Sequence, residues 1–132
     1  MNTVKVYSKK KHGGLKLSAN FRVREFACSD NTDVIFIAPE LVKLLQSVRD
    51  YFGKPVTITS GYRTVHYNAK VPNSASDSEH CKGLAADIKI AGVAPKTIAK
   101  YVETLIPNSG GIGIYPNFVH VDTRPKRSRW NG

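Results

Sequence analysis

Cysteines and acidic residues are both scarce in this sequence of 132 residues. Its two cysteines, Cys28 and Cys81, form no CxxC pair, which excludes a zinc site made of cysteine thiolates. The two could join in a disulfide, but we expect free thiols because no apolar leader precedes them. The 10 acidic residues are outnumbered by 20 Lys and Arg, so the formal net charge is +10 at pH 7.

Long hydrophobic runs are absent as well. No apolar stretch approaches the ~20 residues that a membrane-spanning helix needs, so we expect no transmembrane segment. Residues 1–17 are polar, and no signal peptide is visible there. Hydrophobic residues make up 41% and charged residues 23%, proportions that are ordinary for a soluble globular protein. A chain of this length is expected to form one domain with its own hydrophobic core.

The positive charge predicts an anionic partner, and nucleic acid is the first class to consider. The basic residues cluster at 9–11 and 124–129. No predicted helix carries a basic recognition face, and aromatic residues do not alternate with basic ones. We therefore expect no nucleic-acid binding, and ascribe the charge to solubility or to attraction toward another polyanion.

Hydrophobic spacing predicts two helices and several strands. Apolar residues recur at helical spacing over 39–52, where Pro39 suits the first turn and Gly53 marks the end, and again over 95–106. Strands are predicted at 54–59, 83–90, 112–115 and 118–122, the last two as an antiparallel hairpin. The predicted fold class is therefore α+β, with a small antiparallel-rich central sheet and flanking helices. Residues 1–16 are expected to be a basic, flexible tail, and 17–132 a single domain.

Residues 78–87, Ser-Glu-His-Cys-Lys-Gly-Leu-Ala-Ala-Asp, are the most specific signal in the chain. His80 precedes Asp87 by seven residues with Gly83 between them, which predicts a loop, a turn and a strand rather than one helix face. An imidazole and a carboxylate brought together in this way are suitable zinc ligands. His120, in the predicted strand 118–122, is the best candidate for a third. Three protein ligands leave the fourth position of a tetrahedral zinc open to water, as in catalytic sites.

This pattern, Ser-x-His-x-x-Gly-x-Ala-x-Asp followed about thirty residues later by a His, resembles the zinc D-Ala-D-Ala carboxypeptidase family. Its compact, carboxypeptidase-like type in bacteria and bacteriophages is the most similar branch. Further matching stretches are 21–28, 60–64, Tyr67-Asn68 and 110–124. The resemblance implies a hedgehog/D-Ala-D-Ala-peptidase-like fold, with 17–132 as the catalytic domain of a zinc metallopeptidase. Such an enzyme would hydrolyse amide bonds of peptidoglycan.

The resemblance also implies roles for individual residues. Arg63 is expected to be catalytic and to hold a carboxylate or carbonyl oxygen of the substrate, which a planar guanidinium can grip with two hydrogen bonds. Tyr62 and Ser78 are expected to bind substrate, and the polar loop 70–79 to form the lip of the cleft. His66 matches no motif and is expected at the surface.

Peptidoglycan stem peptides are the implied partner, with anionic wall polymers as a further candidate for the basic surface. We expect a monomer that acts at the bacterial cell wall. Without a visible signal peptide, it would be delivered by a phage, released from the cytoplasm by a non-classical route, or have lost its leader.

The general base is the open assignment. Relatives place an acidic residue or a His shortly before the final His ligand, whereas this sequence has none there and carries Asn117 instead. Elimination among the carboxylates leaves three candidates, Asp77, Glu79 and Asp122. Asp122 follows His120 by two positions, so both side chains leave the same face of a strand. Asp122 is our expected catalytic base, with an orienting role toward a ligand His or a structural role as alternatives.

Two other functions compete with a peptidase. A cell-wall-binding module could keep the zinc and have lost its base, as Asn117 permits. A basic nucleic-acid-binding domain is the other, and the missing recognition features count against it. Among peptidases, the sequence does not distinguish D,D-carboxypeptidase, endopeptidase and L-Ala-D-Glu cleavage.

Overall fold

The computed structural model describes residues 3–72 and 74–132. The strands are β1 Lys5–Ser8, β2 Val34–Ile37, β3 Thr57–Ser60, β4 Ala85–Lys89, β5 Gly111–Ile114, β6 Val119–Asp122 and β7 Ser128–Asn131. The helices are α1 Lys9–His12, α2 Pro39–Phe52, α3 Val65–Asn68 and α4 Pro95–Leu105. Two 3₁₀ turns span Val23–Phe26 and Glu79–Lys82.

Five of the strands form the central sheet, in the order β3-β4-β6-β5-β7. Its neighbours pair antiparallel, except for β5 and β7, which run parallel. The strands β1 and β2 form a separate antiparallel pair. This architecture confirms the predicted α+β class with an antiparallel-rich sheet.

The helix α2 begins and ends where the sequence predicts, and α4 ends at Leu105, one residue before the predicted end. Pro39 and Pro95 stand in the first turns of α2 and α4, where a missing N–H costs no helical hydrogen bond. Gly53 ends α2 in the left-handed conformation at φ 63°. Both helices bury apolar faces, and α4 contacts both β5 and β6.

Side chains alternate along β6, as the pleat of a strand requires. Val119 and Val121 belong to the hydrophobic core, whereas His120 and Asp122 leave the opposite face of the sheet. All four are buried. The central sheet therefore separates the apolar core from a buried polar layer.

Residues 5–12, which were expected to belong to a tail, form the strand β1 and the helix α1. β1 pairs with β2 from Lys5 to Ser8, and Ser8 caps α1 by accepting from the Lys11 backbone N–H at 3.2 Å. Asp33 also holds this segment, because its carboxylate accepts from Ser8 Oγ at 2.7 Å and from the Lys10 N–H at 2.9 Å. The hydrophobic pattern does not indicate β1 because Val6 is 61% exposed. Backbone pairing with β2 holds the strand, together with packing of Tyr7 against the core. Met1 and Asn2 of the predicted tail lie outside the described residues.

The strand β7 was not predicted, because its sequence looks like part of a solvated basic run. Arg129 in this strand donates to the backbone carbonyls of Ile106, Ser109 and Gly110 and pairs with Glu103 at 2.6 Å. These contacts satisfy carbonyl groups just beyond the end of α4, which have no helical partner of their own. Part of the basic cluster is therefore structural.

No described helix combines the length and the apolar character needed to pass through a membrane.

Substitution of Gly83, the turn residue of the 78–87 motif, tests how tightly this turn packs against Phe36. It adopts φ 77°, and a Cβ there would lie 2.6 Å from the carbonyl oxygen of Phe36. Gly53 has a similar φ, but a Cβ there would meet no atom within 4 Å. We expect Gly53→Ala to cost about 1–2 kcal/mol of unfolding free energy, from the backbone alone. Gly83→Ala should cost clearly more, because Phe36 must also move.

Urea unfolding of both variants measures the difference through their midpoints. Equal losses in the two variants would show that the contact with Phe36 does not constrain this turn.

Candidate metal centre

Asp87 and His120 lie opposite each other on neighbouring strands. β4 and β6 pair with Asp87 aligned to His120, and His80 comes from the 3₁₀ turn that precedes β4. One candidate ligand atom from each of the three residues lies within 4.8 Å of the other two, and all three residues are buried. The fold thus brings together the three side chains that the sequence predicts as metal ligands.

Local contacts hold the His80 ring from both sides. Ser78 Oγ accepts from the His80 backbone N–H at 3.2 Å and so caps the turn. The His80 Nδ1 atom lies 2.7 Å from the carbonyl oxygen of Gly61, and its Nε2 atom lies 3.2 Å from Asp87 Oδ1. Because a carbonyl can only accept, Nδ1 is the protonated nitrogen and Nε2 is directed toward the centre of the group.

His120 is held in the same manner, with its nitrogens reversed. Its Nδ1 atom lies 3.1 Å from Asp87 Oδ1, and its Nε2 donates to Asp122 Oδ2 at 2.7 Å. The two-residue spacing between His120 and Asp122 does place both side chains on one face of β6. Asp122 therefore contacts the ring on the side opposite Asp87.

The carboxylate of Asp122 is surrounded by donors and is 0% exposed. Its Oδ1 accepts from the Gly111 N–H at 2.8 Å and from the Arg124 N–H at 3.0 Å. Its Oδ2 accepts from Arg124 Nη2 at 2.6 Å in addition to His120. Both oxygens are thus already engaged within the protein.

The protonation of the group follows from these contacts. Burial acts to raise the pKa of Asp87 and of Asp122, but hydrogen bonds from the neighbouring rings, and from Arg124 to Asp122, hold both pKa values well below the usual range. Burial acts to lower the pKa of His120, but its hydrogen bonds to Asp122 and Asp87 outweigh burial and raise that pKa. Both carboxyl groups are therefore ionised near neutral pH.

Arg63 lies beside the group and reaches Asp87. Its Nη2 donates to Asp87 Oδ2 at 3.2 Å, its Nε to Ser60 Oγ at 3.0 Å and its Nη1 to Asn68 Oδ1 at 3.2 Å. The Arg63 side chain is 11% exposed. Of the five N–H donors of the guanidinium, these contacts with described residues use three and leave one on each terminal nitrogen.

The two other predicted substrate-binding residues have structural contacts. Tyr62 is part of the hydrophobic core, with its ring centroid 5.0 Å from that of Phe36. Burial is the main cause that raises the pKa of its hydroxyl. Ser78 caps the turn that carries His80, as described above. Contact of either residue with substrate stays a prediction.

The other candidate bases lie on or beside the same turn. Asp77 is 87% exposed in its side chain and pairs with Lys82 at 3.3 Å, whereas the Glu79 side chain is only 11% exposed and pairs with Lys82 at 2.9 Å. Of the predicted lip 70–79, Asn73 lies outside the described residues. His66 is exposed, as expected for a residue outside the motifs.

Three contacts beside the metal centre were not predicted from the sequence. The missing side chain of Gly61 lets the backbone of Phe26 approach, since a Cβ there would lie 2.8 Å from it, and the Gly61 carbonyl meets His80. The Trp130 ring lies 5.0 Å from that of His120, centroid to centroid, and Asn68 holds Arg63. For Asn68, the available signal was its place in a stretch that resembles the family, Tyr67-Asn68. The residues around Trp130 gave no indication of its contact with His120.

The three candidate ligands fit a zinc ion by their chemistry. Two imidazole nitrogens and one carboxylate oxygen are typical zinc donors, and three protein ligands are typical of catalytic sites. In zinc sites the outer nitrogen of a ligand His is normally held by a carbonyl or a carboxylate. Gly61 does this for His80, and Asp122 does it for His120.

Residues 19–122 match a family model described as Peptidase M15. The peptidoglycan L,D-endopeptidase MepK of Escherichia coli (strain K12) is 40% identical to this chain over 99 residues, which cover 69% of the chain and 53% of MepK. The MepK of Shigella flexneri matches to the same extent. A probable peptidoglycan L,D-endopeptidase MepK of Haemophilus influenzae is 40% identical over 83 residues, 58% of this chain and 43% of that protein.

The chain therefore spans about half the length of the curated relatives it matches. No solved structure gives a significant match.

Proposed function

The chain belongs to the peptidase M15 family, and from this premise we propose that it is a zinc-dependent peptidase of bacterial peptidoglycan. The observation that carries the proposal is the convergence of His80, Asp87 and His120, each ring held on its outer side by a protein acceptor. We further propose cleavage of the endopeptidase type, because the relatives named above are described as peptidoglycan L,D-endopeptidases. The substrate experiment described below distinguishes endopeptidase cleavage from carboxypeptidase cleavage.

In this proposal, His80 Nε2, His120 Nδ1 and an oxygen of Asp87 hold the zinc ion. When bound, zinc supplies a water with a pKa near ~7 and polarises the carbonyl of the scissile amide. The hydrogen bonds from the outer nitrogens to Gly61 and Asp122 select the tautomer that leaves each ligand nitrogen free of a proton. The protein's part is therefore to aim the three ligand atoms at one point.

We propose that Asp122 orients His120 rather than taking the proton from water. Its oxygens accept from His120, Gly111 and Arg124, its side chain is fully buried, and its pKa is held below the usual range. A general base needs an accessible oxygen within hydrogen-bond reach of the proton. Glu79 is our candidate for that role in preference to Asp77, because it lies in the same 3₁₀ turn as His80.

Arg63 is proposed to bind the substrate oxygen nearest the metal. Its contacts to Ser60, Asn68 and Asp87 fix the guanidinium plane. Within the described part of the chain, they leave one N–H on each terminal nitrogen to donate to a carbonyl or carboxylate.

The metal assignment predicts one zinc per chain. His80→Ala and His120→Ala should each lose most of the zinc, since each removes one of three ligands. His66→Ala is the matched control, because His66 is exposed and lies outside the group, and it should keep the metal. Elemental analysis of the purified proteins measures the ratio, and full zinc content in both ligand variants would overturn the assignment.

The substrate assignment predicts cleavage of a peptide bond in peptidoglycan. Incubation of the zinc-loaded protein with cross-linked muropeptides and with uncross-linked stem pentapeptides, followed by mass spectrometry, should show opening of the cross-link. Release of terminal D-Ala alone would indicate a carboxypeptidase instead. Zinc binding without any cleavage would favour the non-catalytic wall-binding module.

Substitution of Arg63 tests its proposed grip on substrate. Arg63→Lys keeps the positive charge but loses the forked geometry, so turnover should fall far more than stability does. Steady-state kinetics and thermal unfolding of the same preparation measure both. Parental turnover in the Lys variant would assign Arg63 a purely structural role.

Two measurements on Asp122→Asn distinguish an orienting role of Asp122 from a role as the general base. An orienting role predicts zinc affinity lower by roughly 10–100-fold, with activity restored by excess zinc. Normal zinc affinity with a rate lower by roughly 10²–10⁴ would instead identify Asp122 as the base. Glu79→Gln, measured beside it, should show that second pattern if Glu79 is the base.

A further inference from the structure

Asn68 is a buried amide whose polar atoms are all engaged. Asn68 is the last residue of α3 and is 3% exposed. Its Oδ1 accepts from Arg63 Nη1 at 3.2 Å, and its Nδ2 donates to the carbonyl of Ala75 at 2.8 Å. Its backbone carbonyl accepts from Ser74 Oγ at 2.6 Å. Burial of an amide is unfavourable unless both ends are paired, so this side chain is placed for its hydrogen bonds.

The position of Asn68 is itself fixed by the backbone before it. Thr64 Oγ1 caps α3 by accepting from the Tyr67 N–H at 3.0 Å, and the Thr64 hydroxyl donates to Asp30 at 2.9 Å. The Thr64 carbonyl accepts from the Asn68 N–H at 2.9 Å. Asn68 is therefore a fixed point from which other groups can be held.

The side chain connects two segments that meet at the metal centre. One is Arg63, whose guanidinium reaches Asp87; the other is the stretch at Ser74 and Ala75, which precedes the Ser78 cap of the His80 turn. Ser60 holds Nε of Arg63 and Asp87 holds Nη2, so Asn68 is the described partner of the remaining nitrogen, Nη1. Without it, the guanidinium plane loses one of three anchors.

We propose that Asn68 is a positioning residue that fixes the guanidinium of Arg63 and, through its other end, the chain at Ala75. Its effect on turnover rests on the proposed peptidase function and on the role of Arg63 in it. Its effect on the geometry of Arg63 does not, so a measurement without substrate can test it.

Two substitutions separate the two ends of the amide. Asn68→Ala removes both side-chain hydrogen bonds. Asn68→Asp keeps an acceptor for Arg63 but replaces the donor to Ala75 with an oxygen, which repels the carbonyl. Val65→Ala is the matched control, because Val65 lies on the same short helix and is 73% exposed.

The first experiment follows, by NMR in the zinc-loaded protein, the Nη1–H proton of Arg63 that Asn68 accepts, with the signal assigned by its loss in Arg63→Lys. Asn68→Ala should speed exchange of this proton with water by roughly tenfold, as loss of one typical hydrogen bond allows. Asn68→Asp and Val65→Ala should leave it within about twofold of the parent, on the same reasoning. Parental exchange in Asn68→Ala would overturn the proposal.

Folding is checked in the same samples. Backbone amide exchange in β6 should match the parent in every variant compared. Should Asn68→Ala fail to fold, Asn68→Ser replaces it, since Ser is too short to reach Arg63 and stays polar. The same tenfold acceleration is then expected, and parental exchange in that variant would overturn the proposal equally.

The second experiment is a double-mutant cycle on turnover. Asn68→Ala should lower kcat by roughly tenfold or more with a smaller change in KM, because it disturbs a group that acts on the reacting carbonyl. In an Arg63→Lys background, the same substitution should change kcat by less than about twofold, since its target is gone. Losses that multiply in the double variant would show that Asn68 does not act through Arg63.

A parent protein that cleaves no muropeptide would refute the proposed function but not this inference. The exchange rate of the Arg63 proton would then still show whether Asn68 positions Arg63.

Discussion

The interaction on which the site depends is the alignment of Asp87 with His120 across β4 and β6. A single oxygen of Asp87 lies within 3.2 Å of a nitrogen from each of the two histidines. Because side chains alternate along a strand, a shift of one residue in this pairing would send His120 into the apolar core and Val119 or Val121 toward the metal centre. The burial of Val119 and Val121 therefore enforces the geometry of the polar layer on the other face.

Around this pair, glycines leave space that other groups occupy. A Cβ at Gly111 would lie 2.2 Å from Asp122 Oδ2, and one at Gly113 would lie 2.4 Å from the Trp130 ring. Both glycines are on β5, so this strand leaves room for the groups that contact His120 from behind. On the other side, Gly61 leaves room for the backbone of Phe26, and its carbonyl meets His80. Glycines therefore allow close packing on both sides of the metal centre.

Much of the fold followed from local pattern. The bounds of α2 were predicted to the residue, because its apolar spacing, Pro39 and Gly53 all act within the helix itself. The hairpin of β5 and β6 was predicted on similar grounds. The strands β1 and β7 were not, because their pairing is with distant parts of the chain and their own residues are largely basic or exposed. A regular pattern of buried residues is what the sequence shows most clearly, whereas backbone pairing holds both of these strands and Arg129 contacts add to β7.

The sequence by itself determined which residues form the candidate metal site, because spacing and residue type in 78–87 and at His120 allow few other uses. It also determined that Gly83 must be a turn. Only the tertiary structure decided what each neighbour contacts: Asp122 meets the outer nitrogen of His120, Gly61 holds His80, and Asn68 holds Arg63. Gly61 and His80 come from separate segments of the chain, whereas Asn68 lies five residues from Arg63 and Asp122 two residues from His120. Residue spacing makes the two local contacts possible, but only the surrounding fold decides that these atoms meet.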